Sequence, residues 1–494
     1  METSSLAAHP AALQRRLKLI DAIMLVAGSM IGSGVFIVGA DMSRTLGGAG
    51  WVLVAWLLTG VITVFGALSY GELAAMSPQA GGQYVYLRQA YGTLFGFLYG
   101  WTLFFIIQTG TIAAVAVAFA KFTAVLFPFL GDRTLILQAG PVRLSAERAV
   151  AIASIVLLTI VNMRGIVLGK TVQNLLTTFK VLALLGIIIV GMLLGYNAGV
   201  FSSNLAGFWQ AAKTVVSSEG ALSSCPLYGL GLVTALGVGM VGALFSSTAW
   251  NNVTFAAGEV EKPERNLPRS LAIGTMLVVL LYLGAHLAYF MVLPSGGRPD
   301  GADILERGMQ FAASDRVGTA MMDQIFGQPG AMVMALLIMV STFGCNNGII
   351  LSGARVYYAM SRDGLFLKGA SVLNSRAVPA NALLFQCVWA SLLCLSGTYG
   401  NLLDYVIFAT LIFDALTVGA VFVLRRKMPA APRPYRAWGY PLVPIIFMLL
   451  TSLIAVDLLI YKPGYTWPGI GLVLLGLPAF FLWNKKPPET RAAS

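Results

Sequence analysis

Apolar runs of 18 or more residues recur along this chain from near its start to its end, each bounded by a few polar, Gly- or Pro-bearing positions. Runs of that length read as helices able to cross a bilayer, since about 20 residues match its hydrocarbon core. The pattern predicts twelve spans: about 18–39, 50–76, 92–128, 147–165, 171–196, 228–258, 270–294, 329–360, 380–398, 402–424, 440–461 and 466–484. Inside lipid each span must satisfy its own backbone hydrogen bonds, so the expected fold is an all-α polytopic membrane protein. Turn-rich joints separate spans at PQAGGQ (78–83), EKPERNLPRS (261–270) and PAAPRPYRAWGYP (429–441). Two longer polar segments, near 197–227 and 297–328, are expected to hold short surface helices.

Two spans break their own pattern. The first carries GSMIGSGVF (28–36), and in the sixth Ser246, Ser247, Thr248, Asn251 and Asn252 interrupt an apolar helix at mid-depth. Gly28 and Gly32, four apart, also fit a small-residue packing face. Packing alone does not explain Gly34 two positions later, nor Ser29 and Ser33 beside it, and three glycines weaken a helix by roughly 1 kcal/mol each. An unwound turn here aims the N–H groups of Ser33 and Gly34 into a cavity, at the positive end of the following half-helix, where a small carboxylate binds well. A dinucleotide loop is excluded because no strand precedes the glycines. The two breaks lie five spans apart, so the spans that carry them run in opposite directions. Interrupted spans in corresponding positions of two inverted halves point to a midplane binding site in a transporter. Identity between the halves is too weak to establish a repeat from residues alone.

Composition agrees with a membrane protein: of 494 residues 57% are hydrophobic and 11% charged, with mean hydropathy +0.80. A soluble domain carries about a quarter charged residues. The net charge of +12 reflects topology, not a nucleic-acid partner. Counted over the predicted loops, twenty of the 32 Lys and Arg residues fall on one side and ten on the other, with Lys180 and Arg355 inside spans. By the positive-inside rule both termini are cytoplasmic. No removable signal peptide is expected, because the first apolar run is itself a full span. Four scattered cysteines give no disulfide framework, and two histidines, His9 and His286, leave no metal cluster or cofactor site.

The ionisable residues inside spans carry the remaining chemistry. Lys180 lies about 12 Å past the start of the fifth span. Gln173, Thr177 and Lys180 form one polar stripe expected to face the bundle interior, which makes Lys180 a structural or coupling residue. Snorkelling to the cytoplasm is its alternative. Asp414, at the centre of the tenth span with Thr410 and Thr417 on its face, is either a proton carrier or a hydrogen-bonded helix contact. Asp457 in the eleventh span lies outside the expected core. Glu72 and Glu259 at span ends suit gating ion pairs or solvated termini equally. Asn346 and Asn347 in the eighth span need polar partners, and a substrate for one and a neighbouring helix for the other fit either assignment.

GSMIGSGVF, YGELAAMSPQAGGQYVYL, VQNLLTTFKVLALL, FSSTAWNNVTFAAGEVEKPERNLPRS, ARVYYAMSRDG and RPYRAWGYPLVP together resemble the amino acid–polyamine–organocation superfamily. Within it they look most like bacterial members of the L-type amino acid transporter family, over nearly the whole chain. The resemblance implies a LeuT-like 5+5 inverted repeat, with residues 18–196 and 228–425 as the two repeats. An outer loop at 197–227 joins them. Peripheral helices at 426–484 and cytoplasmic tails at 1–17 and 485–494 complete the chain. It implies that the substrate carboxylate meets the backbone of Gly32, Ser33 and Gly34, and that the amino group meets carbonyls of Met30, Phe245 and Thr248. Phe245 is then a gate, Ser247 belongs to the polar turn of the pocket, and Asn347 lies near the substrate side chain. Lys180 matches a fifth-span lysine that stands in for the sodium of coupled relatives, implying sodium-independent transport. Lys180 and Asp414 are the coupling candidates.

Where animal relatives have a glycine-rich FAYGGW-like turn, this chain reads FSSTAW, which narrows the pocket and favours small neutral amino acids. Basic amino acids or polyamines are the alternative. The loop between spans three and four has no cysteine, so no disulfide-linked heavy chain is expected. The expected protein is an exchanger or proton symporter of the cell (inner) membrane. It is not an enzyme, having no nucleophile–base arrangement or paired intramembrane carboxylates. Nor is it a channel, having no filter-like repeat.

Overall fold

The computed structural model describes residues 13–139, 142–216, 222–396 and 399–483; most of both expected tails lies outside them. The first expected span is two helices, α1 (Leu19–Met30) and α2 (Gly34–Leu46), bent by 41° at the break. There follow α3 (Ala49–Met76), α4 (Gln83–Tyr91) and α5 (Thr93–Leu126), the last with one wider π-helical turn at Leu103–Ile107. Next come α6 (Ala146–Met163), α7 (Ile166–Leu193) and the short α8 (Ala198–Ala206). The sixth span is α9 (Gly229–Ser246), an unwound turn, and α10 (Asn252–Phe255). Beyond it lie α11 (Pro263–Val292), α12 (Val317–Phe326) and α13 (Gln328–Arg362). The chain closes with α14 (Ala380–Ser396), α15 (Tyr399–Lys427), α16 (Leu442–Tyr461) and α17 (Pro463–Trp483).

The all-α expectation holds within the bundle. Ten described helices are long and apolar enough to cross a membrane, and the bent α1–α2 pair makes an eleventh. The ninth expected span is α14, whose 17 residues fall short of the others, so the count of twelve rests on that helix. The loops depart from expectation. Besides the expected short helices, two antiparallel hairpins appear at one end of the bundle: β1 (Leu135–Ala139) with β2 (Val142–Ser145), and β3 (Ala212–Val216) with β4 (Leu222–Pro226). Helix α2 runs on to Leu46, past the predicted 39, because its polar last turns have partners there. Arg44 reaches Asp315 at 2.7 Å, and Gln310 donates to the Ser43 carbonyl. Helix α11 begins at Pro263, seven residues before the expected 270, with proline in its first turn, where a missing N–H costs nothing.

Helices α3 and α11 pack along each other, as do α5 and α13, while α1 lies against α7 and α11, and α2 against α9. The most apolar stretch of α5 is 83% buried and that of α17 is 22% buried, which separates a central bundle from peripheral helices. The end opposite the hairpins is tied by ion pairs. Lys170 meets Asp21 at 3.0 Å, Arg355 meets Glu259 at 2.8 Å, and Arg425 meets Glu72 at 2.6 Å. Arg88 and the Tyr84 hydroxyl share Asp363; burial, with that carboxylate beside it, pushes the Tyr84 phenol up, so it remains a donor. The chain before α1 joins this basic end, Leu17 pairing with Val260.

Candidate functional site

Residues 31–33 and 247–251 are the two stretches where the first and sixth spans leave helical hydrogen bonding, and they meet. Between them lies a small cavity lined by Met30, Gly32, Ser33, Gly34, Phe245 and Thr248, together with Ser29, Ser246, Ala249, Thr111, Val115, Cys345 and Ile349. On one side α2 starts at Gly34 with its positive end toward the cavity, and the N–H groups of Gly32, Ser33 and Gly34 have no backbone acceptor among the described residues. On the other side α9 ends, presenting carbonyls. Ala249 there takes φ +67°, a left-handed turn that re-aims the chain out of α9.

The glycines of the first motif divide their work. A Cβ on Gly28 would sit 2.1 Å from the Gln173 amide and 2.2 Å from the Thr177 hydroxyl, so Gly28 lets α1 close onto α7. A Cβ on Gly34 would sit 1.9 Å from the Ser246 hydroxyl, so Gly34 lets the two breaks touch. The packing reading and the broken-helix reading therefore both apply, at different glycines.

Lys180 is 2% exposed and holds the first break open. Its ammonium donates to the carbonyls of Gly28 (2.5 Å), Ile31 (2.8 Å) and Ser341 (3.4 Å). It does not snorkel. Ser341 adds hydrogen bonds to the Ile31 and Gly32 carbonyls, and the Cys345 thiol donates to that of Ser29. The Tyr282 hydroxyl lies 3.0 Å from the Met30 carbonyl and 3.1 Å from that of Ser246, spanning both breaks at once. Nothing in the stretch LLYLGAHLAYF sets Tyr282 apart, and Thr111, Val115 and Ile349 are as inconspicuous; sequence reading missed all four.

Four expected site residues do not line this cavity, and one of them, Asp414, lines the adjoining one. Ser247 turns away, its N–H bonded back to Ala243 and Leu244. Asn347 is spent on helix contacts: it accepts from Asn162 at 2.9 Å and donates to Gln173 at 2.9 Å and to the Gly169 carbonyl. Lys180 supports the break from behind. Of the three carbonyls expected to receive an amino group, those of Met30 and Phe245 already accept from Tyr282 and Thr248, whereas Thr248's has no donor among the described residues.

A second cavity shares Thr111, Thr248, Ala249 and Ile349 with the first and adds Gln83, Gln108, Asn251, Asn252, Thr410 and Asp414. The Asp414 carboxylate accepts from Tyr70 at 2.7 Å and Gln83 at 3.2 Å, and Asn251 in the unwound turn donates to Gln83 at 3.0 Å. Among the described residues no cluster of ligating side chains could hold a metal ion.

Two breaks thus face each other, with unbonded amides at Gly32–Gly34 on one and the unbonded Thr248 carbonyl on the other among the described residues. The sequence profile of the amino acid permease family matches residues 17–475. The chain belongs to that family. Its relatives include the large neutral amino acids transporter small subunit 2 of Mus musculus, 30% identical over 481 residues covering 96% of this chain and 83% of the relative. The Asc-type amino acid transporter 1 of the same species is 28% identical over 97% of this chain and 84% of its own. The b(0,+)-type amino acid transporter 1 of Homo sapiens is 28% identical over 95% and 88%. This permease is thus a multi-pass membrane protein whose relatives are transporters, not enzymes.

Proposed function

We propose that this protein carries amino acids across the cytoplasmic membrane without sodium, by alternating access about the two breaks. The observation that carries the reading is the opposition of the Gly32–Gly34 amides to the Thr248 carbonyl across one cavity. The carboxylate binds at the start of α2 and the amino group at the Thr248 carbonyl just past the end of α9, with the second lone pair of the Met30 carbonyl assisting. Phe245 is the gate over the site. The Lys180 ammonium occupies a carbonyl cage of the kind that holds a coupling cation, so sodium has no place there. Residues 18–196 and 228–425 act as inverted repeats that rock against each other, with both termini cytoplasmic. Cys225 is exposed and free, and we assign no disulfide-linked partner chain, although one relative is by name a small subunit.

Small side chains suit the space between Thr248, Ala249, Cys345 and Ile349. A second reading, basic amino acids, is favoured by one observation: the adjoining cavity presents the Asp414 carboxylate. A thermal-shift screen of the purified protein against the twenty amino acids and polyamines decides. Stabilisation by alanine, serine or threonine is expected, and shifts by arginine, lysine or polyamines alone overturn the first reading in favour of the second. Counterflow in proteoliposomes, with sodium replaced by choline, is expected to run at an unchanged rate. Uptake with and without a pH gradient separates exchange from proton symport, for which Asp414 is the available carrier.

A further inference from the structure

Away from the two breaks, a groove opens at the basic end between α3, the first turns of α11 and the segment before α16. Its walls are Leu68, Pro268 and Ala272, with the Tyr435 ring packed over Gly71 and Pro268, and Arg265 and Arg269 line its mouth. The two arginines lie four residues apart and so share one helix face. Among the described residues neither guanidinium has a carboxylate within salt-bridge distance, unlike Arg355, Arg425 and Arg88 at the same end. Glu264 also lines the groove. Exposed Lys262 and Arg436, next in sequence to groove segments, are likewise without a carboxylate partner among the described residues.

The same face of α11 continues from Arg269 into Ile273, Met276 and Leu280, which are 49%, 45% and 60% exposed. On α3, Leu57 is exposed and Val61, Val64 and Leu68 are half-buried, at helical spacing along the facing edge. Cations at the mouth and an apolar track leading from them down a membrane helix match one kind of molecule, an anion carrying hydrocarbon chains. Basic pockets between membrane helices bind anionic headgroups in this way.

We propose that this groove binds an anionic phospholipid, its headgroup phosphate between Arg265 and Arg269 and its acyl chains along Ile273, Met276 and Leu280. Free phosphate shares the headgroup chemistry but has no use for the apolar track. A lipid seated there touches α3 and α11, which pack along each other beside both breaks.

The test is native mass spectrometry of the full-length protein in dodecyl maltoside, titrated with palmitoyl-oleoyl phosphatidylglycerol, phosphatidylcholine of the same chains, or inorganic phosphate. Phosphatidylglycerol is expected to bind in preference to phosphatidylcholine, and equimolar inorganic phosphate is expected not to displace it. The Arg265→Gln/Arg269→Gln variant should bind phosphatidylglycerol roughly thirty-fold more weakly, from about one kcal/mol per cation near the surface. Leu68→Trp, which fills the groove and leaves every charge in place, should lower lipid occupancy as well. Equal binding of phosphatidylcholine, displacement by inorganic phosphate, or unchanged phosphatidylglycerol affinity in the arginine variant each overturns the proposal. Should the arginine variant fail to fold, unchanged affinity in Leu68→Trp does so by itself.

Discussion

A methyl group at position 34 would lie 1.9 Å from the Ser246 hydroxyl and 2.7 Å from its Cβ. Gly34→Ala is therefore expected to push the two breaks apart, costing about 1–3 kcal/mol as overpacking does, and to abolish counterflow. Adding Ser246→Gly removes the clash and should restore both melting temperature and transport in part; no rescue by the double variant would show that Gly34 serves some other end. Lys180→Ala leaves the Ile31 carbonyl its bond from the Ser341 hydroxyl but strands the buried Gly28 carbonyl, about 1–3 kcal/mol for an acceptor left without a partner. Its melting temperature is expected to become sodium-dependent, since the vacated cage suits a small cation, while the wild type stays indifferent. At this scale the sequence was readable where a residue offends its surroundings. Glycines in a membrane helix, or a lysine 12 Å deep, demand a reason. It was silent where ordinary residues converge, as with Tyr282, Thr111 and Ile349. It misdirected at Asn347, because a buried amide satisfied by a neighbouring helix and one waiting for a ligand have the same sequence signature.

Helix α15 and the unwound turn of the sixth span are linked through Asp414, Gln83 and Asn251. Asp414→Asn leaves a carbonyl oxygen that still accepts from Tyr70 and Gln83, so stability should change by less than about 1 kcal/mol. If Asp414 carries the proton, pH-gradient-driven uptake falls to the counterflow level, whereas uptake unaffected by the variant excludes that role. Helix α13 is tied to the end of the sixth span by the Glu259–Arg355 pair, both side chains 1% exposed. Glu259→Gln leaves a buried guanidinium without its counter-charge and should cost about 3–5 kcal/mol, read as a lower melting temperature. The double Glu259→Met/Arg355→Met variant should recover much of that loss. Span positions were legible because bilayer thickness fixes length and composition together. Helix ends were not: α2 runs seven residues past its apolar stretch because Arg44 and Ser43 find partners on a distant loop.

Across the whole molecule, one end is bridged by ion pairs between segments far apart in sequence. Glu72 is the clearest case, meeting Arg425 and Arg433 and accepting from the Ala437 N–H. Glu72→Gln is expected to free residues 429–441, seen as faster limited proteolysis there; an unchanged digestion rate would mean that the Arg425–Tyr440 stacking holds the loop alone. The sequence by itself determined that the chain is a bundle of membrane helices, which two of them are broken, and which side carries the positive charge. Each of these is a one-dimensional consequence of hydrocarbon excluding polar backbone and charge. Only the tertiary structure decided which amides and carbonyls of GSMIGSGVF and FSSTAWNN remain bare. Lys180, Ser341, Cys345 and Tyr282 arrive from three other helices to take up the rest, and no local pattern encodes a hydrogen bond made across the bundle.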